Sequence, residues 1–384
     1  MYDLFTAYIA VIMVWIHQQA DWPAFTWNSE ALAQKLPAIR HRQGRLLGRM
    51  ESLGFALRNE ATLNTLTENI VQSSAIEGEK LSSQEVRSSV ARRLGIEIGG
   101  GIAVGRNVEG VVDMMIDATS RCDQPLTRNR LFSWHAALFP TGWSGLRKIT
   151  VGNWRPESAG PMRVVSGRID RERIHFEAPK ATRIESEMVA FLAWFDSEVE
   201  VDPLIKAAIA HLWFITIHPF EDGNGRIARA IADMALARAD GILDCFYSMS
   251  AQIETERKTY YAQLEQQQRN STNITDWLVW FLECLDRAIG TAETTLATVI
   301  YKAELWQVAN EKQINQRQRR ILNRLLDGFE GPMTTSKYAK IAKCSADTAL
   351  RDIRNLLAKG LLVQNTAGGR STSYRLPSIE TIRR

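Results

Sequence analysis

Twelve consecutive residues, His218-Pro219-Phe220-Glu221-Asp222-Gly223-Asn224-Gly225-Arg226-Ile227-Ala228-Arg229, hold the parts needed to handle a magnesium-bound polyphosphate. Gly223 and Gly225 flank Asn224 just ahead of a helical stretch. Glycines let successive backbone N–H groups converge, and a helix N-terminus adds partial positive charge, so this turn is an anion cradle. Arg226 and Arg229 are three apart on the first helical turn and face similar directions. Each presents a planar fork that matches phosphate oxygens. Asp222 makes little sense beside bare phosphate, but good sense if it holds Mg²⁺ that bridges phosphates. His218 precedes the cradle, and an imidazole accepts a proton from an attacking hydroxyl near neutral pH. Cradle, carboxylate, two guanidinium groups and a base together describe phosphoryl or nucleotidyl transfer. Taken singly, the histidine, the turn and the arginines are ordinary surface features. Their concentration in one short string carries the reading.

Two rival chemistries fit less well. A metal hydrolase would use His218 and Asp222 with His211 as a third ligand. Pro219 and the glycines break the single helix that such spacing needs, and no HExxH occurs. A P-loop kinase would need GxxxxGK[ST], which is absent.

HPFEDGNGRIAR resembles the signature of the Fic family, HxFx[DE]GNGRxxR, at every specified position. The resemblance implies an all-helical core with a short β-hairpin flap and transfer of AMP from ATP to a Ser, Thr or Tyr hydroxyl of a target protein, this chain itself included. It implies that His218 is the general base, that Phe220 anchors the loop and that Asp222 holds Mg²⁺. The Gly223–Gly225 amides with Asn224 would then bind the α- and β-phosphates, with help from Arg226, and Arg229 would bind the γ-phosphate. Met162-Arg163-Val164-Val165-Ser166-Gly167 resembles the flap that aligns a target segment by backbone pairing. Tyr260 and Tyr261 lie where similar proteins place aromatic residues near the nucleoside; a core aromatic pair reads equally well.

Ser73-Ser74-Ala75-Ile76-Glu77-Gly78 resembles the family's inhibitory motif [ST]xxxE[GN]. Ser73 and Glu77 are one helical turn apart and share a face. A glutamate paired with Arg229 would stand where the γ-phosphate belongs. The ordinary alternative is a surface Glu before a helix-stopping Gly. AMP removal at the same site, with Glu77 aligning water, is a second activity open to such a site. A winged-helix regulator carrying a Fic core is a third reading.

The elements that must position these groups read as mainly helical. Asn28 and Ser29 cap a helix running to about Gly54 despite Pro37. A second helix covers about Asn59–Ile76, with Gly78 as its stop, and Ser82 with Glu85 forms a capping box for a third. Gly99-Gly100-Gly101 is a natural break. Residues 141–179 are rich in Gly, Pro and β-branched types and read as a long loop with one short hairpin. Helical periodicity returns at Ile184–Val199, Pro203–Ile217, Arg226–Ala239, Ile253–Gln267 and Thr275–Val308. A basic segment, 311–320, then leads into helices at Ile321–Leu326, Ser336–Ala342 and Asp347–Lys359. Strands at Leu361–Gln364 and Ser373–Leu376 complete a winged helix-turn-helix.

The expected domains are a helical N-terminal domain (1–100), the catalytic core (101–290), a linking helix (291–311) and the winged helix (312–384). Thr348, Arg351, Arg354 and Asn355 should face outward on its second helix. Arg370 and Arg375 lie on the wing, and Lys337, Lys340 and Lys343 nearby. A basic face of this kind could contact DNA phosphates.

The net charge of +4 permits a polyanionic partner without demanding one. Cys122, Cys245, Cys284 and Cys344 are widely spaced and read as reduced thiols of a cytoplasmic protein. The apolar stretch Leu4–Ile16 is short for a membrane span and lacks the flanks of a signal peptide. The expected reading is no membrane anchor, with Met1–Val14 unassigned and a homodimer left open.

Overall fold

The computed structural model describes residues 14–97, 102–167, 171–198, 200–241, 246–326, 329, 331–365 and 372–382. The chain divides into two compact units, Met1–Glu293 and Thr294–Arg384. The Thr275–Glu311 helix runs through the boundary.

The first unit is built around the Pro203–Ile217 helix. Asp202 caps it by accepting from Leu204 N (2.8 Å), and Pro203 occupies a first-turn position that needs no amide donor. Apart from Lys206, every residue from Leu204 to Ile217 is buried, so this helix is apolar on all sides and lies at the centre of the unit. Asn224–Asp240 packs along it, and Arg106–Ser120, Phe55–Ile76 and Arg128–Leu138 pack on Asn224–Asp240 in turn. This unit spans both sides of the expected boundary at residue 100.

Two antiparallel hairpins interrupt the helices. Arg163–Ser166 pairs with Arg173–Glu177, with a register irregularity between Val164 and Val165. A second hairpin, Trp143–Ser144 with Arg147–Lys148, was not expected from the sequence because two-residue strands leave no alternating pattern. The first hairpin is held along its inner strand. Phe176 and Ala178 pack with Trp15, Met162 and Ile174. His175 Nδ1 meets Glu265 Oε2 at 2.6 Å, and Arg269 Nη2 donates to Ile174 O at 2.7 Å. Its outer strand, Arg163–Ser166, is exposed throughout.

The second unit has its own core, including Leu305, Ile321, Leu322, Tyr338, Ile353, Leu356 and Leu361. Helices Gln316–Leu326, Thr335–Ala342 and Ala346–Ala358 accompany a three-stranded sheet. Ser373–Arg375 is central, between Met333–Thr334 and Val363–Gln364. The strand Met333–Thr334 was not expected.

Several boundaries differ from the sequence reading. The helix drawn from Asn28 to Gly54 breaks at Gln34 into Ser29–Ala33 and Lys35–Glu51. Pro37 lies in the first turn of the second piece, where its missing N–H costs nothing. Phe55–Ile76 begins four residues early, and Thr275–Glu311 ends three late. The basic segment 311–320 is partly helical, since its last helix starts at Gln316. Gly99–Gly101, Cys245, Arg370 and most of the Met1–Val14 extension lie outside the described residues.

Candidate active site

The loop between the two central helices begins with an unusual backbone. His218 caps Pro203–Ile217 in the left-handed region (φ 52°), with its amide on Phe214 O at 3.0 Å. A non-glycine residue there carries a cost of about 1–2 kcal/mol, tolerated where the surroundings fix it. Arg155 does the fixing: it is 3% exposed, its Nε donates to His218 O (2.9 Å), and its backbone N donates to Pro219 O (2.9 Å). Burial pulls its pKa down to about 10. Phe220 is fully buried and stacks on the His135 ring at 4.2 Å. The Asn224 side chain closes the loop by accepting from Phe220 N (2.9 Å) and donating to Phe220 O (2.8 Å). The side-chain amide of Asn224 is thus engaged by the loop, and its backbone N–H remains for an anion.

Gly223 (φ 81°) then caps Asn224–Asp240, whose first intrahelical bond is Ile227 N to Gly223 O at 3.0 Å. The amides of Asn224, Gly225 and Arg226 precede that bond and need an outside acceptor. Beside them, on the side of Gly225 where a Cβ would point, stands a carboxylate. A Cβ built on Gly225 would fall 2.0 Å from Glu77 Oε1, and the same oxygen meets Arg229 Nη2 at 2.9 Å.

Glu77 reaches this point because two helices run antiparallel in register. Asn69 Nδ2 donates to Asp233 Oδ2 (2.8 Å), Ser73 Oγ accepts from Arg229 Nε (3.0 Å), and Glu77 covers Gly225. Each step is four residues up one helix and four down the other. Ser73 O also accepts from Arg229 Nη2 at 2.7 Å. Arg229 is 2% exposed, and Glu77 raises its pKa against the opposing effect of burial. The Phe55–Ile76 helix ends in a Schellman cap, with Glu79 N on Ser74 O (3.0 Å) and Gly78 N on Ala75 O (2.9 Å). Gly78 supplies the required positive φ of 82°. Beyond the cap Glu79 Oε2 meets Arg226 Nη1 at 2.5 Å, and Arg226 also lies over the Phe139 ring at 5.1 Å.

His218 Nδ1 is 3.1 Å from Ile215 O; a carbonyl only accepts, so Nδ1 carries the proton and Nε2 is the free base. Burial lowers its pKa to about 4, with Arg155 adding to the effect and Ile215 O, Glu77 and Asp222 opposing it. The ring is neutral at pH 7. Asp222 Oδ1 accepts from Gly223 N (2.5 Å) and Oδ2 from Ser144 Oγ, which ties the unexpected hairpin to the loop. His135 bridges Asp222 O and Gly152 N at 3.2 and 3.1 Å, and burial brings its pKa to about 4. A cleft of about 610 Å³ opens beside these groups, lined by Glu77, Glu79, Phe139, Trp143, Asp222 and Arg226 among others.

The two tyrosines separate. Tyr260 is 1% exposed and its hydroxyl is 2.9 Å from His211 Nε2. It is a core residue, and its expected place against a nucleoside is corrected. Tyr261 is 39% exposed and donates to Ile76 O (3.1 Å), beside Glu77. In the flap, Arg163–Ser166 forms the strand, Met162 packs beneath it and Gly167 turns out of it at φ 103°. Sequence reasoning missed Asn69, Glu79, His135, Ser144 and Arg155. Only Asn69 carried a signal, its spacing of four residues from Ser73.

One buried helix thus ends in a neutral imidazole, and the next begins with three amides free of intrahelical partners and two arginines on its first turns. Residues 125–236 match the family described as Fic/DOC family, and residues 15–96 match Domain of unknown function (DUF4172). The "Protein adenylyltransferase fic-1" of Caenorhabditis elegans is 30% identical over 121 residues, 31% of this chain and 22% of that protein. Its Caenorhabditis briggsae namesake is 25% identical over 178 residues, 45% and 33% of the two chains. The matched segments thus span a third or less of these relatives' lengths. A solved Fic family protein from Desulfovibrio desulfuricans G20 shares the fold, with a TM-score of 0.51 at 19% identity over 93% of this chain and 98% of that one. Among the described residues no helix is long and apolar enough to cross a membrane.

Proposed function

We propose that the chain is a protein adenylyltransferase, held inactive by Glu77. One observation supports this above the rest: a carboxylate stands over the Gly225 backbone and on Arg229, where a cradle for a polyphosphate would receive its anion. In this reading His218 Nε2 takes the proton of a target hydroxyl. The oxygen forms a bond to the α-phosphorus, the bond from that phosphorus to the bridging oxygen breaks, and pyrophosphate leaves. Arg229 would hold the γ-phosphate once Glu77 withdraws, and the amides at Gly225 and Arg226 the α- and β-phosphates. The exposed strand Arg163–Ser166 would pair with the target backbone.

Mg²⁺ fits the donor set. Asp222 is a single carboxylate at the cradle. That suits an ion which draws most of its ligands from phosphates and water. Bound by Asp222, Mg²⁺ would neutralise charge on the phosphates.

The test is mass spectrometry of Glu77→Gly after incubation with ATP and Mg²⁺. The expected result is a gain of one AMP, lost again in Glu77→Gly/His218→Ala. No gain in the first variant counts against the reading, and retained transfer in the second removes His218 as base.

A separate observation supports a nucleic-acid partner for the second unit. Residues 294–384 contain sixteen Lys and Arg against seven Asp and Glu. Arg320, Arg324, Lys340, Lys343, Arg351 and Arg354 are all exposed, and their side chains make no ion pair or hydrogen bond among the described residues. Most arginines around the catalytic site, by contrast, are paired with carboxylates. Unneutralised cations flanking a helix-turn-helix suit a duplex backbone.

A further inference from the structure

The Schellman cap delivers two carboxylates to the site rather than one. Glu77 is the C-cap residue and Glu79 stands two residues on, with Gly78 between them at φ 82°. The reversal of the chain at Gly78 brings both side chains onto the first turn of Asn224–Asp240. Glu77 meets Arg229, and Glu79 meets Arg226 at 2.5 Å. Arg226 is 6% exposed, and its Nε has no hydrogen-bond partner among the described residues. Its guanidinium is thus engaged by Glu79 and by the Phe139 ring alone, and both contacts lie on the wall of the open cleft. A cation next to the cradle with one carboxylate partner is poised to exchange that partner for a phosphate.

We propose that Glu79 is a second inhibitory carboxylate, which occupies Arg226 as Glu77 occupies Arg229. This rests on the autoinhibited adenylyltransferase reading and extends it: removal of Glu77 alone leaves the site half closed. The two blocks differ in kind. Glu77 lies over the Gly225 backbone and excludes an anion from the cradle by occupancy. Glu79 leaves the cradle open and competes only for the charge of Arg226. Loss of Glu79 alone therefore leaves nucleotide excluded, and its effect emerges once Glu77 is gone.

Calorimetry of ATP with Mg²⁺ binding to the full chain tests this in Glu79→Ala, Glu77→Gly, Glu77→Gly/Glu79→Ala and Glu77→Gly/Glu79→Asp. Expected are no uptake by Glu79→Ala and about threefold or tighter binding by Glu77→Gly/Glu79→Ala than by Glu77→Gly, a gap that narrows with salt. The Asp variant, which restores the charge, should return toward Glu77→Gly. Equal affinity in Glu77→Gly and Glu77→Gly/Glu79→Ala overturns the proposal. Weaker binding in the double variant overturns it too, since Glu79 would then be holding Arg226 in its working position. Absence of ATP uptake by Glu77→Gly sinks the transferase reading and the second carboxylate with it, whereas uptake insensitive to Glu79 sinks the second carboxylate alone.

Discussion

Asp233 is a buried residue whose charge the fold tolerates poorly. It lies one helical turn beyond Arg229, bonded to Asn69, and burial raises its pKa to about 7 from 3.8. Between those values the unfolded chain gives up a proton that the folded chain keeps, so this group lowers stability as pH rises through that window. Asp233→Asn keeps an oxygen for Asn69 and cannot ionise. Its unfolding midpoint in urea should match the parent near pH 4 and exceed it at pH 8, by roughly 1–3 kcal/mol. A gap independent of pH would mean that Asp233 does not titrate. His135, His211 and His218 act in the other direction. Burial holds their pKa values at about 4, 3 and 4, below the ordinary 6.5, so the unfolded chain takes up protons that the folded chain refuses as pH falls from 6.5. Their share of stability is complete above that pH and is lost on acidification.

At the scale of elements, the junction of Phe55–Ile76 with Asn224–Asp240 brings Glu77 to the start of the second helix. Gly225 lies at the contact. A methyl group there would fall 2.0 Å from Glu77 Oε1 and 3.3 Å from Arg229 Nη1. Glu77 is the far end of a flexible side chain and can yield, so Gly225→Ala should fold, helped by about 1 kcal/mol of helix preference. The methyl would remain in the cradle, however. Glu77→Gly/Gly225→Ala is therefore expected to bind ATP at least about tenfold more weakly than Glu77→Gly in calorimetry. Equal binding would show that phosphate does not approach Gly225. The sequence already placed both helices and the glycine stop at Gly78. Their antiparallel register, which sets Asn69, Ser73 and Glu77 against Asp233, Arg229 and Gly225, depends on packing and could not be read from either helix alone.

On the scale of the whole molecule, charge is divided between the two units. With the chain at +4 overall, the excess of nine positive charges in residues 294–384 leaves the first unit at −5. Arg351 and Arg354 lie on the exposed side of Ala346–Ala358, opposite Ala349, Ile353 and Leu356. Fluorescence anisotropy of the full chain with a labelled 20-base-pair duplex should show binding that weakens with salt. Arg351→Glu/Arg354→Glu should weaken it about tenfold or more and flatten the log–log salt dependence by about two. Unchanged binding in that variant would remove this helix from the contact. AMP transfer by the Glu77→Gly form should be untouched by the same pair of changes.

The sequence by itself determined the catalytic loop. His218, Asp222, the glycines and the two arginines are covalent neighbours, so they stay close wherever the loop is placed, although the left-handed His218 backbone is held by Arg155 from outside the loop. The hairpin at Arg163–Glu177 and the helices Thr335–Ala342 and Ala346–Ala358 were legible for a similar reason, through turn residues and short-range periodicity. Tertiary structure alone decided what those groups touch. Arg226 and Glu79 are 147 residues apart, Arg229 and Ser73 are 156 apart, and Ser144 reaches Asp222 from a hairpin with almost no pattern. It also decided that Tyr260 is core and that the Asn224 side chain serves the loop. Spacing along a chain sets which side chains share a face, but which partner each face meets is settled by the register in which buried surfaces pack.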